Sequence, residues 1–462
     1  MLNLRTYDAL RCSTCIHTCI AILLHLLITL DTQAEGPETA STAHDWLSGE
    51  LELGLNVGRS DRDGDIEIDQ LLRLKVVPPE HDDIHLRTTL WTVEDLDGRE
   101  SPTSAFRSLN DTSRSSVSTR LLSLYLEVEG DKDNSRLRLG RQRITDGVAF
   151  NRIDGAYFRA SRNSWTYYAF LGARASVYEN SSEDVSTGIG ISWRPAPGTR
   201  AALDLFYGAD ERRRFGSDGI KATQTSLSLR HALNPYHNFF GRATWHEEEL
   251  DEFRLTAQGV LHEDKLLYTV AYRRRISTLV ERPTDFPQFY HVVGELNGYE
   301  DFQGVISLPI GERFELGLEA QVHDAEESML STGNRDYQRY GLSLDVNDIA
   351  QHYDVRIILE LWDAAHGESE RTISGEVSRQ WTHTRAALGI DYDRFQDRII
   401  QYDPLLQNAF FIESKDDIYV MYLRVRHKVN EHHSIQVRAS VEDDDTSDAP
   451  YWRLRSQYTF RF

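Results

Sequence analysis

Cysteine is nearly absent from this chain: there are three in 462 residues, and all of them (Cys12, Cys15, Cys19) fall within the first twenty. Everything after residue 19 is therefore expected to hold together without disulfides or thiolate-bound metals. Long apolar runs are missing too. No stretch reaches about 18 apolar residues, so no transmembrane helix is expected. A basic excess is also lacking: 51 Lys and Arg against 73 Asp and Glu leave a net charge of -22, which disfavours nucleic acid as a partner. Enzyme signatures are absent, with no G-x-S-x-G, H-E-x-x-H, Walker A or C-x-x-C-H. No catalytic residue, cofactor or metal is expected, and the chain is not read as an enzyme. "DRDGDIE" has the look of a calcium loop but fails the EF-hand spacing, because Gly64 comes too early and Leu72 stands where the closing Glu belongs.

Alternation is what the sequence does have. "LELGLNVG" sets Leu51, Leu53, Leu55 and Val57 on one face and Glu50, Glu52 and Asn56 on the other. "RLLSLYLEVEG", "FELGLEAQV", "DVRIILELW" and "SIQVRASVE" repeat the period of two that marks a strand with one apolar face. Such segments recur from Trp46 to Phe462, each long enough for a tilted membrane strand of about 9–11 residues. Short turns ("VPPEHDD", "RPAPGT", "NPYHN", "PIGER") alternate with longer connections at 94–117, 209–221, 275–299, 324–336 and 393–415. Short periplasmic turns and long extracellular loops are the plan of an outer-membrane barrel. Trp91, Trp165, Trp193, Trp245, Trp362, Trp381 and Trp452 fall near strand ends, where interfacial girdles are expected.

The expected fold is all-β: a transmembrane antiparallel β-barrel of about 18–22 strands in the bacterial outer membrane. Residues 1–34, with Arg5 and Arg11 before "CIAILLHLLITL" and small residues after it, read as a signal peptide. Residues 35–45 would form a short periplasmic segment and 46–462 the barrel. The last strand, "YWRLRSQYTFRF", would close it, and closure removes the sheet edges that lipid would leave unpaired. No second domain is legible, so any narrowing of the lumen is expected from side chains, infolded loops or another protein.

One block is more specific. In residues 137–216, "LRLGRQR" is followed by a short loop and "IDGAYFR", then a strand ending in "ASVYENSSED", then the hairpin "WRPAPGTRAALDLFYGADERRR". This block resembles alginate-export-type outer-membrane proteins. The resemblance implies a monomeric barrel that passes an anionic, alginate-like polysaccharide through an arginine-lined pore. The family's long lid elements are not evident here, and the strand count runs above the family's.

The register opposite the apolar one shows what a solute would meet. It places Arg138, Tyr157, Arg159, Tyr422, Arg424, Arg426, Arg438, Arg453 and Arg455 inward, with Arg141 and Arg143 near the outer mouth. Glu127 stands among the inward carboxylates, with Glu50, Glu52, Glu315, Glu319, Glu360 and Glu376. Guanidinium forks suit carboxylates and phosphates, and an arginine ring selects anions. The same residues could equally brace the wall as an Arg–Glu ladder, with closure setting Glu50 and Glu52 beside Arg453 and Arg455. The partners expected are outer-membrane lipid and an anionic polysaccharide or small anionic solute. Two alternatives stay open: a general or substrate-specific uptake porin, or a barrel sleeve around a periplasmic secretion or cytochrome partner.

Overall fold

The computed structural model describes residues 46–60, 64–98, 116–130, 134–147, 151–175, 184–210, 220–261, 266–276, 298–326, 336–350, 352–403, 408–445 and 450–462. The leader at 1–34 and the segment 35–45 lie outside them. Nearly all the rest is strand: β1 (Leu47–Arg59), β2 (Gly64–Val76), β3 (Ile84–Asp95), β4 (Val117–Gly130), β5 (Ser135–Ile144), β6 (Asn151–Arg162), β7 (Trp165–Arg174) and β8 (Val185–Ala196). There follow β9 (Thr199–Asp210), β10 (Ile220–Asn234), β11 (His237–His246), β12 (Glu249–Leu261), β13 (Leu266–Arg275), β14 (Tyr299–Ile310) and β15 (Phe314–Ala325). The chain ends with β16 (Tyr337–Ile349), β17 (Tyr353–Ala364), β18 (Ser369–Gln380), β19 (Thr384–Asp403), β20 (Asn408–Lys428), β21 (His433–Asp444) and β22 (Tyr451–Arg461). A single 3₁₀ turn, Ala365–Gly367, interrupts them among the described residues.

These strands form one antiparallel sheet of 22, in which β1 also pairs with β22. The sheet therefore closes on itself and is a β-barrel, with the strand number the sequence predicts. The chain clusters into two compact units. One comprises Met1–Glu127, Arg426–Ala439 and Tyr451–Phe462; the other comprises Val128–Val425 and Ser440–Pro450.

The first unit holds the closing seam. Glu50 lies opposite Arg461 and Glu52 opposite Thr459, while Arg455 and Arg453 lie higher, opposite Asn56 and Gly58. The seam thus differs from the expectation: the partners of the two glutamates are Arg73, Arg461 and Gln457. Arg73 donates to both Glu50 and Glu52, Arg461 Nε reaches Glu50 Oε2 at 2.7 Å, and Gln457 Nε2 reaches Glu52 Oε2 at 2.6 Å.

In the second unit, one face of every strand exposes large apolar side chains. Leu137, Leu139, Phe158, Leu171, Ile189, Leu203, Leu205, Leu227, Leu229, Phe302, Ile306, Leu318, Leu342, Ile357, Leu359, Leu388, Ile390 and Met421 all point out of the sheet. In water so wide an apolar band would be an aggregation surface, whereas facing lipid it is the expected exterior. Trp165 stacks on Trp193 (5.7 Å) and on Tyr167 (6.4 Å) at the short-turn end, as an interfacial girdle does. Two of the tryptophans depart from that expectation. Register aligns Trp91 with Leu71, opposite in parity to the Leu72–Leu90 pair, and Trp362 with Arg339, so both are on the inner face.

The segment 393–415, expected to be a polar loop, is mostly strand. β19 continues to Asp403 and β20 starts at Asn408, although β18 pairs with β19 no further than Gln396. The β-branched and aromatic runs "RIIQY" and "AFFI" account for this, since their intrinsic preference is for extended backbone.

Candidate functional site in the lumen

The connection after β5 turns inward. Asp146 accepts from the hydroxyl of Tyr157 and, at 3.1 Å, from Arg159 Nη1. The carbonyl of Gly147 accepts from Arg242 Nη2 at 3.1 Å, 95 residues away on β11. The hydroxyl of Tyr168 donates to Asp204 Oδ1 at 2.8 Å beside the same glycine. Under this turn lies an apolar cluster on the lumen side of the wall: Ile144, Ile153, Tyr157, Phe170 and Phe206, each under about a tenth exposed. Phe170 and Phe206 both face Gly188 across adjacent strands and stack at 6.2 Å, because a side chain at Gly188 would occupy the space of the Phe170 ring. An inward apolar cluster is exceptional in a wet lumen. Here it supplies the footing that holds Asp146 and Gly147 inside.

Charge on the inner face of this unit is segregated. From β5 to β13 the inward positions include Arg136, Arg138, Arg159, Arg174, Arg200, Arg230, Arg242, Arg254, Arg273 and Arg275, against Asp204 and Glu252, with Asp251 beside Arg275 and Asp146 in the turn after β5. From β14 to β19 they include Asp301, Glu315, Glu319, Asp345, Asp354, Glu360, Glu370, Glu376, Asp391 and Asp393, against Arg339, Arg356 and Arg385.

Within the basic stretch, Arg242 faces Arg254 and Arg254 faces Arg273, so three guanidinium groups stand side by side on β11, β12 and β13. Like charges directly opposed on a sheet are destabilising. At about 6 Å even water's dielectric leaves about 0.7 kcal/mol of repulsion per pair. Arg273 is offset by Glu252 at 2.7 Å. Arg242 bonds Ser226 and the Gly147 carbonyl, both neutral acceptors. Such a row is poised to hold an anion.

The residues singled out from the sequence do not form one ring. Arg138 lies over the Tyr157 ring (5.6 Å) and, with Arg159, belongs to the infolded-loop cluster. Tyr422 and Arg424 converge on Glu376, Tyr422 at 2.7 Å. Glu127 is fully buried, 3.3 Å from Arg87. Arg453 and Arg455 line the seam, and Arg426 and Arg438 are exposed on β20 and β21. Arg141 and Arg143 depart from the expectation. They share the parity of the exposed Leu137 and Leu139, so they project from the outer face rather than into the lumen. There Arg141 forms a two-point bond with Asp154, at 2.7 and 2.6 Å. Parity slips unnoticed in "GRQR" because neither face of that stretch is apolar.

Sequence reasoning missed Asp146, Gly147 and the Arg242–Arg254–Arg273 row. Each arginine does sit at an inward position of an alternating strand. Their adjacency, however, comes from register between strands, which no single strand encodes. Asp65, Asp95 and Asp97 bring carboxylate oxygens within 4.8 Å of one another. Asp97 Oδ1 already accepts from the Ile66 amide and Asp95 Oδ1 from that of Gly98, so the group ties β2 to the end of β3.

No protein-family model matches the chain, and no curated relative is found. Solved structures do match along nearly its whole length. They include OpdK from Pseudomonas aeruginosa (9% identity, TM-score 0.43, covering 90% of this chain and 99% of that one). OccAB3 from Acinetobacter baumannii is similar at 12% identity and TM-score 0.43, with coverage of 90% and 99%. A variant of OccD1 (OprD) matches at 9% identity and TM-score 0.37, with coverage of 93% and 98%. These neighbours are Occ/OprD-type porins, and they overturn the alginate-export resemblance read from residues 137–216. With a closed sheet, an apolar exterior and a charged interior, the chain is an outer-membrane β-barrel of 22 strands.

Proposed function

We propose that this channel is a passive uptake porin for small acidic solutes. The observation that carries the reading is the Arg242–Arg254–Arg273 row beside the infolded loop. A solute carboxylate bridging two of these forks relieves their mutual repulsion on arrival. The acidic strands β14 to β19 alongside make the binding weak enough for release, and weak binding is what permits flux. A passive pore has no intrinsic direction, so a solute consumed inside the cell flows inward. Each barrel carries its own lumen and works as a monomer. Neither a polysaccharide nor a cytochrome partner gains support from the solved structures the chain resembles, and no catalytic role is invoked.

The test is the reversal potential of single channels in a planar bilayer under a KCl gradient. The wild type is expected to prefer chloride, and the Arg242→Gln/Arg254→Gln double variant to lose that preference. A cation-preferring wild type, or a selectivity that the double variant leaves unchanged, refutes the reading.

A further inference from the structure

Trp362 faces the lumen at the end of β17 nearest the long loops, on the side of the wall away from lipid. It closes a row of four rings contributed by four successive strands: Tyr299, His323, Tyr337 and Trp362, with centroids 4.8, 4.8 and 4.9 Å apart. The His323 and Tyr337 planes are within 9° of parallel. Parallel rings in contact lie about 3.5 Å apart, so a 4.8 Å centroid spacing implies a sideways slip of about 3 Å. The His323 and Tyr337 rings overlap like tiles, and the Tyr299 and Trp362 planes tilt away from them by 34° and 37°. Tyr299 and the His323 side chain are 8% and 11% exposed and act as backing. Tyr337 and Trp362 are half-buried and offer the open surface.

The polar neighbours are flat and fixed. Gln321 donates to the Tyr337 hydroxyl at 2.9 Å and to Asp301 at 2.7 Å. Arg339 lies over the Trp362 ring at 5.2 Å and holds Glu319 and Glu360 at 3.0 and 2.8 Å. Because Tyr337 is an acceptor from Gln321, its own hydroxyl proton remains available. The Trp362 indole N–H likewise has no acceptor among the described residues. An open aromatic face with two unused donors, rimmed by carboxylates and an amide, matches a ring with an apolar face and hydroxyl groups at its edge.

We propose that Tyr337 and Trp362 form a stacking subsite for a pyranose ring at the extracellular mouth. This rests on the uptake reading: sugar-ring solutes would be captured here before they pass the arginine row. The planar polar side chains around the strip serve the ring hydroxyls, and the tiled rings serve its C–H face.

The test is block of single-channel current by maltotriose added from the loop side, with benzoate as the comparison probe. Maltotriose is expected to block the wild-type channel. Trp362→Ala and Tyr337→Ala should each weaken the block by about five- to tenfold, and Trp362→Phe should retain most of it. Absence of block in a conducting wild type, or a block as strong in both alanine variants as in the wild type, overturns the subsite. Benzoate block that depends on Trp362 while maltotriose has no effect also overturns it, in favour of an aromatic acid. Arg254→Gln separates the two readings. It should alter ion selectivity and leave maltotriose block intact, so either can fail while the other stands.

Discussion

Replacing Gly147 by valine should open the channel. The residue has φ of +73°, a backbone conformation that glycine tolerates and that costs other residues about 1–2 kcal/mol. A Cβ built there would lie 1.8 Å from the Tyr168 hydroxyl oxygen, 2.9 Å from its ring carbon and 3.0 Å from Asp204 Oδ1. Relieving the first contact requires a shift of about 1.5 Å to reach van der Waals distance. A shift of that size breaks the 2.8 Å Tyr168–Asp204 bond and strands a buried carboxylate, adding about 1–3 kcal/mol. The combined penalty of about 2–5 kcal/mol is comparable with or larger than the about 1.5–3 kcal/mol that the Arg242 bond to the Gly147 carbonyl returns. At about 1.4 kcal/mol per factor of ten, the ratio of seated to unseated tip should fall by about 30- to 4,000-fold. Single-channel conductance is the readout, with heat-modifiable electrophoretic mobility confirming an intact barrel. Larger and noisier openings are expected, with Tyr168→Phe giving a milder form of the same change. A folded Gly147→Val barrel with wild-type conductance refutes the claim that this tip narrows the lumen.

Three further outcomes check the assignment of faces. Leu359→Arg should cost about 2–4 kcal/mol, as a guanidinium on the lipid side near the midplane does, while the neighbouring Ile358→Arg should fold normally; urea titration in lipid vesicles distinguishes them. Arg138→Ala should shift ion selectivity and Arg141→Ala should not, because the first shares the Tyr157 face and the second the Leu139 face; equal shifts in reversal potential would contradict that register. Arg73→Ala removes the bridge between Glu50 and Glu52, but the guanidinium is 45% exposed, so thermal unfolding should reveal a loss of no more than about 1 kcal/mol.

What was legible in the sequence and what was not divides along a physical line. A strand's period of two is a local property. It therefore gave the strand number, the alternation of short and long connections except at 393–415, and the inward face of β20 and β22 without reference to any neighbour. Register is not local. Glu50 meets Arg461 rather than Arg453 because the closing strand is staggered, and stagger is fixed only when two strands pair. The same limit hid the Arg242–Arg254–Arg273 row, whose members are scattered through "GRATW", "EFRLT" and "YRRR". Parity also fails locally where both faces are polar, which is why Arg141 and Arg143 were placed in the lumen. The alginate-export resemblance failed for a related reason: motifs such as "LRLGRQR" and "IDGAYFR" are shaped by alternation that large barrels share.

The infolded loop and the charge segregation together give the lumen its asymmetry. A barrel of 22 strands encloses far more space than a small solute needs, and a lumen that wide selects little by size. Selection then requires something to bring the solute near a wall. The apolar footing under Asp146 and Gly147 spends inward-facing positions on Ile144, Ile153, Phe170 and Phe206, none of which can bind a charged solute. That use is intelligible if the loop tip they support narrows the passage beside Arg242, to which it is bonded. A solute squeezed there meets the row Arg242, Arg254 and Arg273 on β11 to β13 and, from Asp301 of β14 onward, the carboxylates. Removing the tip should therefore cost selectivity as well as raise conductance, and the two should change together in Gly147→Val. A variant that conducted more while keeping wild-type selectivity would mean that the arginine row acts without the loop.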